Sequence, residues 1–598
     1  MTHPVRRWLF LTLLVAAGVG LLAGCSSRPS QAVEKTVEKT VVVTVPVVET
    51  RVVVETRVAP QTVVVTATPT PTPAYVSRIN VPPDTLTYPI ANEPSALSPQ
   101  GAIDDTSSLI AQQLYEGLFN LRADGSTIPA GATGFKASDD GKVVTVTLRA
   151  EAKWSDGKPV TAQHFVDGIC RALEPATGNS YYYLLTDVAR VTGAKAFASG
   201  NTADCKKVGV KAVDDRTLQF SLEQPASFFP KLLSMQIFFP TRVDITRTVA
   251  GGLVNNGPYT LAESVPGERL ALRANPAYWN AAQVGPKRIE FKVVPELADQ
   301  FAQYKQGDLM VAEFPSENTA QVSSDPNFAK ELRVLVRPGV SYLGLNTQTG
   351  PTKNVALRKA IASAIDRKKL VEDVLKQRWH VPAQSVLPPD IPGSQAKDPN
   401  VGFPYNPEAA KKFLAEAGYG PDKPVPPVDL WINREGNNES LFRAVADMLE
   451  KVGIPVRLNT SKWPVYRSAL EACGGKLKRA DAAQTSPECD YGLYRMGWVM
   501  DYADPSALLD IVFNPKSAFQ YTGWQSKKYE ELLAQALAEK NEAKRLELYK
   551  AAEKVLLNEE VAIVPLQYYD RTLLIKDGVT FDYPLFGAPN LQYWKRGS

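Results

Sequence analysis

A short segment between residues 495 and 505 concentrates side chains that could do chemistry. Its sequence is Arg-Met-Gly-Trp-Val-Met-Asp-Tyr-Ala-Asp-Pro, so a guanidinium, an indole, a phenol and two carboxylates occur close together. Within it, Asp501 lies between Met500 and Tyr502. A carboxylate among apolar and aromatic groups is costly to bury unless a cation meets it. Asp501 is therefore either paired with a neighbour or prepared to accept a cation from a ligand.

Both interpretations of Asp501 remain open at this point. In the structural one, Asp501 pairs with Arg495, and Asp504-Pro505 starts a helix. In the functional one, the carboxylate has no fixed basic partner and receives a cationic group from outside. A charge-assisted contact of that kind contributes about 1.5–3 kcal/mol net.

Composition narrows the functional classes. The net charge is +4 over 598 residues. No run of Lys and Arg is longer than expected for an ordinary solvent-exposed face, so we expect no nucleic-acid partner. The chain contains no nucleotide-binding loop, nucleophile elbow or HExxH motif. Its three histidines (His3, His164 and His380) argue against a histidine-built metal site, and His164 is interpreted as a helix-capping residue. We predict a protein that is not an enzyme and holds no metal or cofactor.

Residues 1–24 have the pattern of a secretory signal peptide. Arg6 and Arg7 precede a short apolar run that begins at Trp8 and ends in Leu-Ala-Gly before Cys25. A membrane span needs about 20 apolar residues, so the run is short for one. Leu-Ala-Gly-Cys resembles the bacterial lipobox, which implies that Cys25 is acylated and becomes the mature N-terminus; an ordinary signal with a chance cysteine is the alternative. Two or three acyl chains anchor a protein stably.

Residues 25–78 are predicted to form a low-complexity tether. No Phe, Trp or Tyr occurs between Ser26 and Ala74, and the tetrapeptides Val-Glu-Lys-Thr and Val-Glu-Thr-Arg each occur twice. The alternating Thr-Pro residues at 68–73 favour an extended, stiff chain. We interpret the segment as a spacer that holds the folded body away from the membrane.

The body behind the tether alternates predicted strands and helices. Hydrophobic periodicity and capping residues predict these elements. They are a strand from Thr85, a helix at 107–118, a strand at 142–149, a helix at 164–173 capped by Thr161, helices at 354–375, 407–417 and 440–451, a strand at 454–458, helices at 527–539 and 542–557, and a strand at 562–569. Helix and strand alternation in the second half indicates an α/β lobe.

Several motifs in the body resemble one known family. They are E-P-x-x-L-x-P at 93–99, L-Y-E-G-L at 114–118, K-W-S-D-G-K-P-V-T-A at 153–162, V-D-D-R-T-L at 213–218 and R-x-G-W-x-x-D-Y-x-x-P at 495–505. In order and spacing they resemble the oligopeptide-binding proteins, the extracytoplasmic receptors of ABC peptide importers. The resemblance implies an α/β, two-lobed periplasmic-binding-protein-like fold of type II, with an extra subdomain inserted in the first lobe.

The resemblance also implies domain boundaries. We expect lobe I at 79–115, 241–338 and 561–598, its extra subdomain at 116–240, and lobe II at 339–560.

The resemblance assigns Asp501 as the residue that accepts the α-ammonium group of a bound peptide. The residues expected to bind the ligand are Asp501, Arg495, Gly497, Trp498, Tyr502, Trp463, Tyr342, Tyr181 and Asn346. Composition alone instead favours an ordinary strand aromatic at Tyr342. A family carboxylate that contacts the peptide backbone falls at Ile103 here, so whether Asp104 replaces it is open.

Four cysteines follow Cys25. Outside the cytoplasm an even count favours disulfides over free thiols. Of three connectivities, we prefer Cys170–Cys205 and Cys473–Cys489, because each closes a moderate loop within one lobe. The second loop carries Lys476, Lys478 and Arg479 and is expected at the edge of the cleft.

The predicted function is a lipid-anchored, monomeric receptor outside the cytoplasm that closes like a hinge on an extended peptide. It would pass the peptide to the permease subunits of an ABC transporter. One alternative is a receptor of the same fold for an oligosaccharide, with Trp463 and Trp498 stacking on sugar rings. An extracytoplasmic hydrolase and a surface adhesin are further alternatives.

Overall fold

The computed structural model describes residues 75–245, 253–376, 381–477, Cys489 and 491–597. The predicted signal peptide, Cys25 and the tether up to residue 74 lie outside these residues. Within the described part of the chain, no helix is both long enough and apolar enough to span a bilayer.

The strands have these bounds in chain order: β1 Thr85–Ile90, β2 Phe119–Leu121, β3 Thr127–Pro129, β4 Ala132–Ala137, β5 Val143–Leu148, β6 Val210–Asp214, β7 Thr217–Ser221, β8 Tyr259–Val265, β9 Arg269–Ala274, β10 Arg288–Val293, β11 Val311–Ala312, β12 Leu332–Leu345, β13 Val428–Asn433, β14 Val456–Ser461, β15 Leu493–Val499, β16 Ile563–Ile575, β17 Val579–Thr580 and β18 Lys595–Arg596.

The α-helices are α1 Asp105–Leu114, α2 Ala162–Leu173, α3 Ala194–Ala198, α4 Phe229–Leu232, α5 Leu297–Gln306, α6 Thr319–Ser324, α7 Pro326–Glu331, α8 Val355–Ala364, α9 Arg367–Lys369, α10 Pro407–Glu416, α11 Asn438–Lys451, α12 Trp463–Leu477, α13 Ser506–Leu509, α14 Lys527–Ala538 and α15 Glu542–Lys554.

Three larger sheets organise the body. The first has the order β1-β10-β9-β8, and the second, β4-β5-β7-β6, is antiparallel throughout. The third has six strands in the order β11-β16-β12-β15-β13-β14. Parallel pairing of β13 with β14, connected through α11, is the arrangement expected of an α/β lobe.

Two long antiparallel strands, β12 and β16, are neighbours in the six-stranded sheet. From Leu332 to Arg337, β12 pairs only with β16; from Gly339 onward it also pairs with β15. The register between β12 and β16 shifts between Arg337 and Val340, which marks the change. Among the described residues, one edge of β12 is therefore unpaired over its first half.

Two predicted helices are shorter in the structure, each for a local reason. The helix predicted at 107–118 is α1, which ends at Leu114 because the Leu114 carbonyl accepts the Gly257 N–H at 2.9 Å. The helix predicted at 354–375 breaks after α8, because the Asp366 side chain accepts a backbone N–H three residues later and starts α9. Local capping chemistry outweighed the continuous apolar periodicity at both places.

The first described residue, Tyr75, is buried in a network of polar groups. Its hydroxyl donates to Oε2 of Glu331 at 2.8 Å, and the Tyr304 hydroxyl donates to the same oxygen at 2.7 Å. Lys576, fully buried, donates from Nζ to the Tyr75 hydroxyl. Burial lowers the pKa of Lys576 to about 8, and the nearby Glu331 charge opposes that shift. The network fixes the point at which the chain enters the body.

Replacing Tyr75 with phenylalanine should lower the free energy of unfolding by about 1–3 kcal/mol, because Lys576 and Glu331 would lose a buried hydrogen-bond partner. Guanidinium-induced unfolding measures the difference. Tyr405→Phe is the matched control, since Tyr405 is 50% exposed and should show almost no change. Equal unfolding midpoints for the two variants would show that the network does not stabilise the fold.

Candidate functional site

A cavity of about 950 Å³ lies beside the unpaired edge of β12. Distant parts of the chain contribute to its lining. They include the start of α1 (Asp104, Asp105), the region between β5 and β6 together with α4 (Tyr181, Lys231), the two long strands (Arg337, Asp570, Arg571) and the end of β15 with the residues that follow it (499–503). The cavity is therefore rich in charged groups and collects residues from distant parts of the chain.

Asp501 enters this cavity directly after β15 ends. The preceding Met500 N–H donates to the Pro338 carbonyl at 2.7 Å, which fixes the segment against β12. The Asp501 side chain is partly buried, and its Oδ2 accepts a hydrogen bond from the Tyr183 hydroxyl. No described Lys, Arg or His residue forms an ion pair with this carboxylate. The geometry therefore leaves its negative charge without a cationic partner.

The environment of Asp501 shifts its protonation. Burial raises its pKa to about 6, and the hydrogen bond from Tyr183 opposes that rise. Burial also raises the pKa of Tyr183, and the charge of Asp501 adds to this effect, so the phenol stays a donor. At neutral pH the carboxylate is ionised but poorly stabilised, which favours an incoming ammonium group.

Tyr183 was not among the residues expected from the sequence, although Tyr181 was. The two residues in contact, Tyr183 and Asp501, are 318 positions apart. The sequence does show three consecutive tyrosines at 181–183. It does not show which of the three rings reaches a carboxylate in a distant segment. Tyr181 itself lines the same cavity.

Arg495 does not pair with Asp501. Its guanidinium donates to Asn433 at 3.2 Å and to the Tyr569 hydroxyl at 3.4 Å, while its buried Nε has no hydrogen-bond partner in the described part of the chain. The predicted pair of Asp501 with Arg495 is therefore absent from this conformation, whereas the predicted helix start at Asp504-Pro505 is present as α13. The other acid of the segment, Asp504, is the one that meets an arginine: it is fully buried and pairs with Arg545.

Comparison with known proteins places the chain in a family. The model of the bacterial extracellular solute-binding proteins, family 5 (middle region), matches residues 126–520. The chain belongs to this family. Over 519 residues it is 31% identical to the periplasmic murein peptide-binding protein MppA of Escherichia coli (strain K12), covering 84% of this chain and 91% of MppA. It is also 30% identical over 502 residues to the oligopeptide-binding protein OppA of Bacillus subtilis (strain 168), covering 82% and 88% of the two chains.

A solved structure confirms the architecture of this family member. The unliganded open form of the murein tripeptide binding protein MppA superposes with a TM-score of 0.74 at 28% identity, covering 87% of this chain and 98% of that one. The predicted two-lobed α/β fold of type II is confirmed. The exact boundaries of the lobes and of the extra subdomain stay predictions.

Of the other residues predicted to bind the ligand, only Tyr181 and Tyr502 share the cavity with Asp501. Tyr502 stacks on Phe228 with ring centroids 5.4 Å apart and shares a hydrogen bond with Ser506. Tyr502 therefore supports the position of Asp501 and does not offer an exposed surface to a ligand.

The remaining predicted residues lie outside the cavity lining, because packing or turn geometry occupies them. Trp498 packs on Phe519, and Trp463 packs on Tyr466. The fully buried Tyr342 packs on Phe513. The side chain of Asn346 accepts two backbone N–H groups of a turn. At Gly497 a Cβ would lie 1.9 Å from the Tyr569 hydroxyl, so a larger residue there would displace the Tyr569 side chain. Arg495, described above, is likewise absent from the lining.

Asp104 has a structural role in addition to lining the cavity. It is the N-cap of α1, accepting the Ser107 N–H at 2.8 Å and the Ser107 hydroxyl at 2.6 Å. Its pKa is lowered: burial alone would raise it, and the hydrogen bonds from Ser107 and Ser95 outweigh that effect. Whether it also replaces the family carboxylate stays open, since its oxygens already have partners.

Both disulfides have the predicted connectivity. Cys170 is joined to Cys205 and Cys473 to Cys489. Most of the second loop, including Lys478 and Arg479, lies outside the described residues. His164 has the predicted capping role, because its Nδ1 accepts the Thr161 N–H at 3.0 Å at the start of α2.

Proposed function

We propose that this protein is an extracytoplasmic receptor that binds oligopeptides by their free amino terminus and delivers them to an ABC importer. The observation that carries the proposal is Asp501, an ionisable carboxylate in a large cavity with a single tyrosine as its partner. Two relatives that cover most of this chain are named for binding murein peptides and oligopeptides. An α-ammonium group is the cation that such ligands carry.

The unpaired edge of β12 supports binding of the peptide in an extended conformation. Leu335, Val336 and Arg337 line the cavity, and over this stretch β12 pairs only with β16. A peptide entering from the cavity can add to this edge through backbone hydrogen bonds, as in β-augmentation. Because backbone groups carry no sequence information, the selectivity of these contacts should be broad.

The attachment and assembly of the receptor complete the proposal. Acylation of Cys25 anchors a monomeric receptor to a membrane, either at the outer face of the cell or in the periplasm. Its partners are the permease subunits of the importer. Members of this family are binding proteins, and we propose that this chain likewise has no enzymatic activity. The oligosaccharide alternative loses its main support, because Trp463 and Trp498 do not line the cavity.

Acetylation of the peptide amino terminus should weaken binding by at least about 100-fold, equivalent to roughly 3 kcal/mol. The reason is that acetylation removes the cation that Asp501 requires. Isothermal titration calorimetry at pH 7 compares Ala-Ala-Ala-Ala-amide with its N-acetylated form. Equal affinities would refute recognition of the amino terminus. Native mass spectrometry of the purified protein checks the ligand class, since a retained sugar would favour the alternative.

A further inference from the structure

Arg337 is an exposed arginine at the edge of the cavity. It is the last residue of the half of β12 that pairs only with β16, where it lies opposite Tyr569. It lines the cavity and, among the described residues, forms no hydrogen bond or ion pair. The guanidinium is therefore available to a ligand.

Arg337 and Asp501 both lie close to the point where β12 and β15 separate. Gly339 pairs with Val499, and the next step outward joins the Pro338 carbonyl to the Met500 N–H at 2.7 Å. Arg337 and Asp501 are the next residues along the two chains, beyond the paired stretch, since β15 ends at Val499. Both residues line the cavity, and yet the two side chains do not pair.

The other cations of the cavity are occupied. Arg571 donates to Glu313 at 2.9 Å and to the hydroxyl of Tyr583 at 2.5 Å. Lys231 donates from Nζ to the Ala503 carbonyl at 2.9 Å. Among the described residues that line the cavity, Arg337 is thus the cation without a partner of its own.

The charges converge around Tyr181. Burial is the largest cause that raises the pKa of this phenol, and the negative charges of Asp501 and Asp105 raise it further. The positive charge of Arg337 opposes them. A ligand that lies against Tyr181 is therefore near both the carboxylate of Asp501 and the guanidinium of Arg337. A ligand that carries one positive and one negative charge complements these two groups.

We propose that Arg337 determines specificity by pairing with a carboxylate of the ligand while Asp501 holds its ammonium group. The inference rests on the proposed function. An extended peptide advances about 3.3–3.6 Å per residue, so the carboxylate must belong to the first two or three residues. It is either the terminal carboxylate of a short peptide or the acidic side chain of a longer one. Guanidinium and carboxylate pair in a bidentate geometry that lysine does not reproduce.

Calorimetry at pH 7 with defined peptides tests this pairing. The probes are Ala-Ala-Ala-Ala-amide, Ala-Glu-Ala-Ala-amide, its Gln counterpart, and Ala-Ala as free acid and as amide. Wild-type protein should bind at least one carboxylate-bearing probe about tenfold more tightly than its neutral counterpart, as expected for one charged pair. A preference for the Glu peptide identifies a side chain as the source; a preference for Ala-Ala as free acid identifies the peptide terminus.

In Arg337→Gln the preference should fall below twofold, while Ala-Ala-Ala-Ala-amide binds as tightly as it does to wild type. The matched control is Arg333→Gln, since Arg333 lies on the same strand outside the cavity lining and should keep the preference. The inference is overturned if wild type shows no preference, if Arg337→Gln keeps it, or if that variant also loses the neutral peptide. If the wild-type protein does not bind Ala-Ala-Ala-Ala-amide, the proposed function itself is refuted.

Discussion

Replacing Asp501 with asparagine should weaken the binding of free-amine peptides by about 3–5 kcal/mol, because an enclosed ammonium group would lose its counter-charge. The substitution keeps the shape of the side chain and its contact with the Tyr183 hydroxyl. Calorimetry with Ala-Ala-Ala-Ala-amide measures the loss. Asp510→Asn is a matched control, since Asp510 lies on the following turn, accepts a hydrogen bond from Asn514 and does not line the cavity.

The pH dependence of binding gives Asp501 a signature that a merely structural residue would lack. Because burial raises the pKa of its carboxyl to about 6, the wild-type affinity should fall about tenfold for each pH unit below that value. Above pH of about 8 the amino group of the peptide loses its proton, and affinity falls again. The Asp501→Asn variant should show no change through pH 6. A flat wild-type profile between pH 5 and 7 would contradict the role.

The same substitution should stabilise the empty receptor, with a sign opposite to its effect on binding. The pKa of Asp501 is higher in the folded protein than its ordinary value of 3.8, so folding favours the protonated form. The free energy of unfolding of the wild type therefore falls as pH rises from about 4 to 6. The fall is smaller than an upper bound of about 3 kcal/mol, because the side chain is partly exposed. Thermal unfolding should show Asp501→Asn to be more stable at pH 8 and equal at pH 4.

The sequence was sufficient for features that depend on local chemistry. Asp501 was singled out because a carboxylate is costly to bury among its apolar and aromatic neighbours, and the family resemblance assigned its role. Within the described part of the chain it has no cationic partner. Thr161 as a helix cap and both disulfides were predicted from spacing and residue type. The family motifs, read in order, predicted the two-lobed fold that the comparisons confirm.

The residues that surround Asp501 could not be predicted in the same way. Successive residues in a strand point to opposite faces, so Trp498 and Val499 at the end of β15 separate: Val499 lines the cavity and Trp498 packs on Phe519. Proximity in sequence suggested that the indole belongs to the site. Tyr183 reaches Asp501, and Arg337 reaches the same cavity, from distant segments that only the tertiary fold brings together.

Removing the charge of Asp504 should lower the free energy of unfolding by about 3 kcal/mol, because it would leave the buried Arg545 guanidinium with only the half-exposed Glu542 as its counter-charge. The side chain of Asp504 is fully buried and that of Arg545 is 3% exposed. Asp504 also accepts the Ser506 N–H at 3.0 Å, and an asparagine at 504 preserves this contact. Guanidinium-induced unfolding, followed by tryptophan fluorescence, measures the loss in Asp504→Asn.

A double-mutant cycle separates this pair from its surroundings. Arg545→Met should destabilise by a similar amount, and combining it with Asp504→Asn should cost about 1–3 kcal/mol less than the sum of the two changes. Glu439→Gln serves as the control, because Glu439 pairs with Arg443 on an exposed helix face and should change stability by less than about 0.5 kcal/mol. Strict additivity would mean that the two buried groups do not act as a pair. Since Asp504 lies three residues after Asp501, this pair ties the segment that carries Asp501 to α15.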